Sequence, residues 1–553
     1  MVQTAEKGKK RFLSGFLWLS LSTVSVKLIG LVYKIPMLSI LGSEGMGYFN
    51  SSYEIYTLFC VIATAGLPVA LSVLISAALE QKDFETVRRV DSVSMRVLLL
   101  IGLVGTIAMA GLSSVFCKWI KSENARLCMI ATSPTVFFSC VSASIRGYFQ
   151  GYQRMVPTAL SQFLEAAGKL IFGFLFAYRA LAGGSTASVV AAAAGAGLTM
   201  GTFCSTIYLV LVKLRDSAMR NRENPKSSGR NAEGSGGILR TLLRLAVPVT
   251  VGASAVSMTK LLDMAMILRR LQSIGFDATI ANEAYGNYTT LALSVYGLVP
   301  SLLSSIALPL VPMLSAAVAS GNRERQAELI RLSYRMTAFF SIPASLGITL
   351  YAEPILRLLF PRAPDAVNEA TPLLAVLGAS VFLSCMIAAT HSVLHAYRQM
   401  RKPILSLAIG AVVKVVVAYF LIGNPEVGML GAPVSTLACN TAVVLLNLFF
   451  VQKLCRAEGL WRVYIKPLFC SAASVGIVFG LYRTATVRFG ELRWMLPAAI
   501  LITAVFYGIL CLLTGTVTYE DLQVLPGGTK LSTLKNRLKL QKRQQQKGIS
   551  KPL

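Results

Sequence analysis

Four lysines stand where lysine is expensive. Lys27, Lys169, Lys260 and Lys414 each interrupt a run of apolar residues long enough to cross a bilayer, and a lysine at the centre of a membrane helix costs about 3 kcal/mol on insertion scales. An ammonium group in such a setting can bind an anion, neutralise a carboxylate or snorkel to the membrane surface. Two carboxylates share these runs. Glu165 and Lys169 are four apart in "LEAAGK", and Lys260 and Asp263 three apart in "KLLD", so each pair falls on one helical face. For Lys169 both an internal ion pair and an anion site stay open. Lys27 and Lys414 have no acid within one turn, which points to a cavity that holds an anion. Asp263, the only aspartate within an apolar run, either neutralises Lys260 or takes a coupling cation or proton.

Other chemistry is poorly supplied. His391 and His395, the only histidines, are four apart, a spacing that suits a metal ion, but no third ligand accompanies them and a polar helix end is the simpler reading. The ten cysteines are scattered, mostly inside apolar runs and never as C-x-x-C, which argues against a disulfide framework or a zinc site. No phosphate-binding loop, nucleophile elbow or zinc-protease motif occurs. No enzyme, cofactor or metal is therefore expected, and any transport must draw on an ion gradient, the membrane potential or the substrate's own gradient.

The elements that hold these residues are apolar helices. Of 553 residues 54% are hydrophobic and 14% charged, with mean hydropathy +0.63, where a soluble chain carries about a quarter charged residues. Hydropathy marks fourteen candidate spans, at 12–36, 54–79, 96–117, 127–150, 156–178, 186–212, 241–268, 285–318, 333–352, 369–396, 403–423, 427–452, 464–484 and 494–516. The first is read as an uncleaved span, since no small-residue cleavage site follows it. Placing both termini in the cytoplasm puts most Lys and Arg inside, as the positive-inside rule requires. The net charge of +28 thus belongs to membrane topology and not to nucleic acid.

The chain repeats itself. "VFFSCVSASIRGYFQGYQRM" (136–155) matches "VFLSCMIAATHSVLHAYRQM" (381–400) without a gap, and the same register sets Lys169 on Lys414; "VSVKLIGL" (24–31) resembles "VSMTKLLDM" (256–264) with one insertion, setting Lys27 on Lys260. The expected fold is all-α, a polytopic membrane protein of 14 transmembrane helices. Two six-helix repeats form lobes at 1–212 and 241–452, two further helices follow at 453–516, a cytoplasmic linker lies at 213–240 and a basic tail at 517–553. An even repeat unit enters twice from the same side, so an axis along the membrane normal relates the lobes and four lysines converge on one cavity. "GLTMG" (197–201) offers a small-residue face for close helix packing. Pro68, Pro157, Pro248, Pro309 and Pro312 are candidate kinks.

The opening "SGFLWLSLSTVSVKLIGLVYKIPMLSILGSEGMGYFNSSYEIY", the second span "AGLPVALSVLISAALEQKD" and the eighth "YGNYTTLALSVYGLVPSLLSSIALPLVPMLSAA" resemble the polysaccharide-transporter family of the multidrug/oligosaccharidyl-lipid/polysaccharide exporter superfamily. Within it the chain is most similar to the stage V sporulation protein B group, relatives of the lipid II flippase. That resemblance implies a two-lobed, alternating-access transporter in the bacterial cytoplasmic membrane that turns undecaprenyl-diphosphate-linked sugars to the outer leaflet. Its last two helices would form a groove for the polyprenyl tail, and a monovalent cation or proton could couple the cycle. Lys27 matches the basic position that the flippase uses in its first span. The second and eighth spans contain no Lys or Arg, so the family's arginine cluster is not carried over. Two other functions fit the residues less closely. A multidrug/cation antiporter of the same superfamily would line its lobes with acids, and a non-transporting scaffold for envelope or spore assembly would have no reason to duplicate lysines in the membrane core.

Overall fold

The first helical run, α1 (Val2–Thr64), is 63 residues long. A straight helix of that length would be roughly three times as long as a hydrocarbon layer is thick, so the run must turn. It does so at Gly42, whose φ of 67° and ψ of 175° lie in a region that only a residue without Cβ enters freely. In this computed structural model the described residues are 2–516 except 82, 224–234, 308–309, 456–461, 491 and 493; within those limits side chains are described from 29 onward, apart from 217–223, 304–307, 310, 312 and 462. The side chain of Lys27, the tail 517–553 and the ring of Pro312 lie outside the description, as does Pro309.

After α1 come α2 (Leu67–Glu80), α3 (Phe84–Gly111), the short α4 (Ser113–Ile120), α5 (Arg126–Thr132), α6 (Pro134–Gly151), α7 (Val156–Ala182), α8 (Ala187–Glu223), α9 (Ser235–Ser273) and α10 (Ala278–Asn287). A π-helical turn at Tyr288–Ala292 leads into α11 (Leu293–Ala307), α12 (Leu310–Ala319), α13 (Arg323–Leu350), α14 (Ala352–Leu359), α15 (Pro364–Ala396) and α16 (Arg401–Ile422). The described chain closes with α17 (Gly431–Cys455), α18 (Arg462–Phe489) and α19 (Met495–Leu513), and no strand occurs among the described residues. Eleven helical runs among them are long and apolar enough to cross a membrane, or twelve if α13 and α14, bent by 78° at their junction, count as one. The chain is a multi-pass helical membrane protein.

Two stretches depart from the hydropathy reading. Residues 37–53, expected between the first two spans, are helical, and Met46, Tyr48, Ser51 and Ser52 there are buried. The stretch reads as polar because it faces protein: Ser52 Oγ donates to the carbonyls of Tyr48 at 2.9 Å and Ala125 at 3.2 Å. Gly47 lets α1 meet α10 so closely that a Cβ there would overlap the Asn282 carbonyl. Likewise the expected linker is shorter than its composition suggests, because α8 runs on to Glu223 and α9 starts at Ser235. Pro68 and Pro157 sit in the first turns of α2 and α7 and start those helices, where proline is tolerated; Pro248 lies inside α9.

Contacts gather the chain into two units. The first holds Met1–Ser301, Leu359–Leu377 and Ala408–Cys439 and so draws helices from both halves of the sequence. In it α7 and α8 cross at glycines: a Cβ at Gly197 would overlap Gly173, and one at Gly201 would overlap the backbone nitrogen of Lys169. The small-residue face of "GLTMG" is thus the seam that sets the height of Lys169. Gly201→Ala should push α7 off α8 and lower stability by about 1–3 kcal/mol, read as a fall in the thermal midpoint of the solubilised protein. Gly252→Ala, at a position with nothing within 4 Å, is the control expected to leave it unchanged.

The second unit holds Leu302–Leu358, Gly378–Leu407 and Asn440–Leu553. Its core joins Ile330 and Tyr334 of α13 to Met386, Val393 and Leu394 of α15 and Val451 of α17. Helix α18 packs on α13, with Tyr351 edge-on to Phe479 at 5.0 Å, and α19 is pinned where Tyr507 OH donates to the Phe339 carbonyl at 3.0 Å. His391 and His395 stack along α15 with ring centroids 6.2 Å apart. All ten cysteines are free.

Candidate functional site

Inside the first unit lies a cavity of about 860 Å³. Helix α7 brings Glu165 and Lys169 to it, α9 brings Lys260 and Asp263, and α16 brings Lys414. Three of the four singled-out lysines and both carboxylates therefore line one space. Their pairing differs from what local spacing suggests. Asp263 turns from Lys260, its neighbour on α9, to Lys414 of α16, with Nζ to Oδ2 at 2.8 Å. The acid that Lys414 lacks within a turn of its own helix comes from another helix.

Lys169 keeps the partner that spacing assigns, with Nζ to Glu165 Oε1 at 2.7 Å. The other oxygen, Oε2, accepts from Arg146 of α6 at 2.8 Å. Arg146 is further held by Ser161, whose hydroxyl accepts from Nε at 2.9 Å. One carboxylate thus holds two cations, and the triad ties α6 to α7.

Lys260 is different. It is exposed to the cavity, and no hydrogen bond or ion pair reaches it among the described residues. Among the described residues it is the lining cation without a bonded partner.

Three charged lining residues escaped the sequence reading, and one of them left a signal. Lys34 stands seven residues after Lys27 in the same apolar run, two helical turns on and so on the same face. Its ammonium is satisfied by neutral oxygens, donating to the Thr289 carbonyl at 3.0 Å and to Ser294 Oγ at 2.9 Å. The π-helical turn supplies the first of these, since a wide turn breaks the regular ladder and leaves a carbonyl to be shared. Asn50 fastens the same turn, donating to Thr289 Oγ1 at 2.8 Å and Thr290 Oγ1 at 2.9 Å. Glu54 sits among the charges of Lys260, Lys34 and Lys414 with no hydrogen bond among the described residues; it falls at the edge of an expected span and reads as a boundary residue. Arg146 has its acid nineteen residues away on the next helix, which no local pattern shows.

The described lining carries five cations, Lys34, Arg146, Lys169, Lys260 and Lys414, against three carboxylates, Glu54, Glu165 and Asp263. Because two carboxylates are engaged by ion pairs, the surplus positive charge is concentrated at Lys260 and Lys34. Such a site can hold an anion of about two charges in a setting screened less than bulk water.

The family described as "Polysaccharide biosynthesis protein" matches residues 12–318, and the family "MatE" matches residues 288–420. The chain is 23% identical to the stage V sporulation protein B of Bacillus subtilis over 94% of its own length and 98% of that protein. It is 24% identical to the lipid II flippase of the same organism, over 73% of this chain and 76% of the relative. A solved lipid II flippase in an inward closed conformation superposes with a TM-score of 0.68 at 15% identity, covering 92% of this chain and 99% of that one. An inward-facing multidrug transporter of the same superfamily superposes with a TM-score of 0.62 at 15% identity, covering 80% and 100%.

Proposed function

Since the chain belongs to the polysaccharide biosynthesis protein family, we propose that it flips undecaprenyl-diphosphate-linked oligosaccharide, a lipid II-like peptidoglycan or polysaccharide precursor, to the outer leaflet. The observation that carries this reading is the excess of cations in the cavity and the free ammonium of Lys260. A diphosphate is the part of such a lipid that needs it: it cannot shed its charge to enter a membrane, and charge-assisted contacts to ammonium groups are among the stronger hydrogen bonds. Lys260, Lys34 and Lys27 are the proposed ligands. Lys414 and Lys169, each held by a carboxylate, become available when the anion competes for them.

The relatives support the same reading. One is named a lipid II flippase and another a sporulation protein. We take α1 as two spans broken at Gly42 and the stretch 278–319 as one span, which with the bent pair of α13 and α14 brings the count to fourteen, in two six-helix repeats followed by α18 and α19. Both termini are then cytoplasmic, and the last two helices offer a groove for the polyprenyl tail.

A cation antiporter would need free acid in the cavity, and among the described residues Glu54 alone answers to it. We assign Glu54 to a coupling monovalent cation or proton, because it is the described lining carboxylate without an ion pair, Asp263 being held by Lys414. Native mass spectrometry of the protein purified from its own membrane tests the flippase reading. Polyprenyl-diphosphate glycolipid should co-purify; retention of organic cations alone, with no diphosphate lipid, would move the antiporter ahead.

A further inference from the structure

An anion does not need aromatic rings, yet six line this cavity: Tyr33, Phe49 and Tyr53 from α1, and Tyr285, Tyr288 and Tyr296 from α10, the π-helical turn and α11. The face of an aromatic ring is its electron-rich side and repels a phosphate. Ordinary packing accounts for part of the set, since Phe49, Tyr285 and Tyr288 are no more than 5% exposed. It does not account for Tyr53, which keeps 38% of its surface open and whose hydroxyl has no hydrogen bond among the described residues. The ring is rigidly backed, stacked 21° off parallel on Phe49 at 6.3 Å and tilted against Tyr56 at 5.6 Å.

A second observation points the same way. Gln162, also in the wall, has its amide free of partners among the described residues. A flat aromatic face beside a planar amide group suits a pyranose ring. The ring's axial C–H bonds present an apolar, slightly positive face to the π system, while its equatorial hydroxyls reach sideways for hydrogen bonds. The volume agrees, since about 860 Å³ lies high in the range of roughly 300–1,000 Å³ for pockets that enclose drug-sized ligands, far more than a diphosphate fills.

We propose that the aromatic wall centred on Tyr53 is a subsite for the pyranose attached to the diphosphate, with the Gln162 amide bonding its hydroxyls. This rests on the flippase reading and sharpens it: the site reads sugar as well as charge, so it distinguishes a loaded carrier from an empty one.

The test compares two probes on the full-length protein in nanodiscs, undecaprenyl diphosphate and undecaprenyl-diphosphoryl-N-acetylglucosamine. The unaltered protein should bind the sugar-bearing lipid about tenfold more tightly. Tyr53→Leu, which keeps bulk and loses the flat face, should erase that preference and leave undecaprenyl diphosphate binding unchanged. Tyr53→Phe should keep the preference, and Gln162→Leu should reduce it. Equal binding of both lipids by the unaltered protein, or an undiminished preference in Tyr53→Leu, overturns the subsite. Failure to bind either lipid would instead overturn the flippase reading beneath it.

Discussion

Lys260→Glu abolishes transport while expression and thermal midpoint stay close to those of the unaltered protein. Both halves of that expectation follow from one fact: Lys260 lines the cavity without a partner among the described residues. Removing it breaks no ion pair, and Glu54 keeps the charges of Lys34 and Lys414, so the fold loses little. Reversing it turns a lining of five cations and three carboxylates into four of each and sets a new negative charge beside Glu54, where the diphosphate would lie. Lys260→Ala is milder, losing one charge-assisted contact at about 1.5–3 kcal/mol, or ten- to a hundredfold in affinity. Lys260→Arg keeps more activity, since guanidinium also binds phosphate, although its planar fork places the donors differently. Lys414→Ala is the contrast, for it frees Asp263 in the wall and loses stability along with transport. The measurement is flipping of a fluorescent lipid-linked saccharide in proteoliposomes, normalised to folded protein. Wild-type rates from Lys260→Glu would remove the anion site and bring the scaffold reading forward.

The sequence exposes such a residue for a simple reason. A lysine in an apolar run is conspicuous against its background, and the three singled-out lysines whose side chains are described all line the cavity. Which carboxylate meets which lysine is a different kind of fact. Asp263 is three residues from Lys260 and 151 from Lys414, yet it pairs with Lys414, because the facing of helices outweighs their internal spacing. Hydropathy fails at residues 37–53 for the same reason: it measures transfer into lipid, while Asn50 and Ser52 are buried in protein with neighbours that satisfy them. The tyrosines are silent in the sequence, since an aromatic residue in a membrane helix is equally at home in the core, at the interface or on a binding surface. The open ring of Tyr53 in the cavity wall separates these roles.

Glu165 shows how far three-dimensional pairing can change an expectation drawn from spacing. On spacing alone, Lys169→Ala should be the damaging substitution, because it leaves a carboxylate buried and unpaired. Arg146 changes that. Its guanidinium holds the second oxygen of Glu165 at 2.8 Å, so Lys169→Ala leaves the acid still paired and should cost little stability. The damage moves to the acid. Glu165→Ala leaves Arg146 and Lys169, with side chains 19% and 23% exposed, as two like charges facing each other across α6 and α7. Breaking a buried pair in this way costs about 3–5 kcal/mol, and the partial hydration of the cavity favours the lower part of that range. The expected result is a marked fall in yield and thermal midpoint for Glu165→Ala and a smaller fall for Glu165→Gln, which keeps one acceptor. Glu165→Ala combined with Lys169→Ala should recover part of the loss by removing one of the stranded cations. Transport should behave in the opposite sense: the molecules that do fold carry an added positive charge in the cavity and should bind the diphosphate at least as tightly as before. A thermal midpoint unchanged by Glu165→Ala would mean that the triad holds nothing together, and a loss of binding per folded molecule would mean that the carboxylate, and not the cations, contacts the substrate.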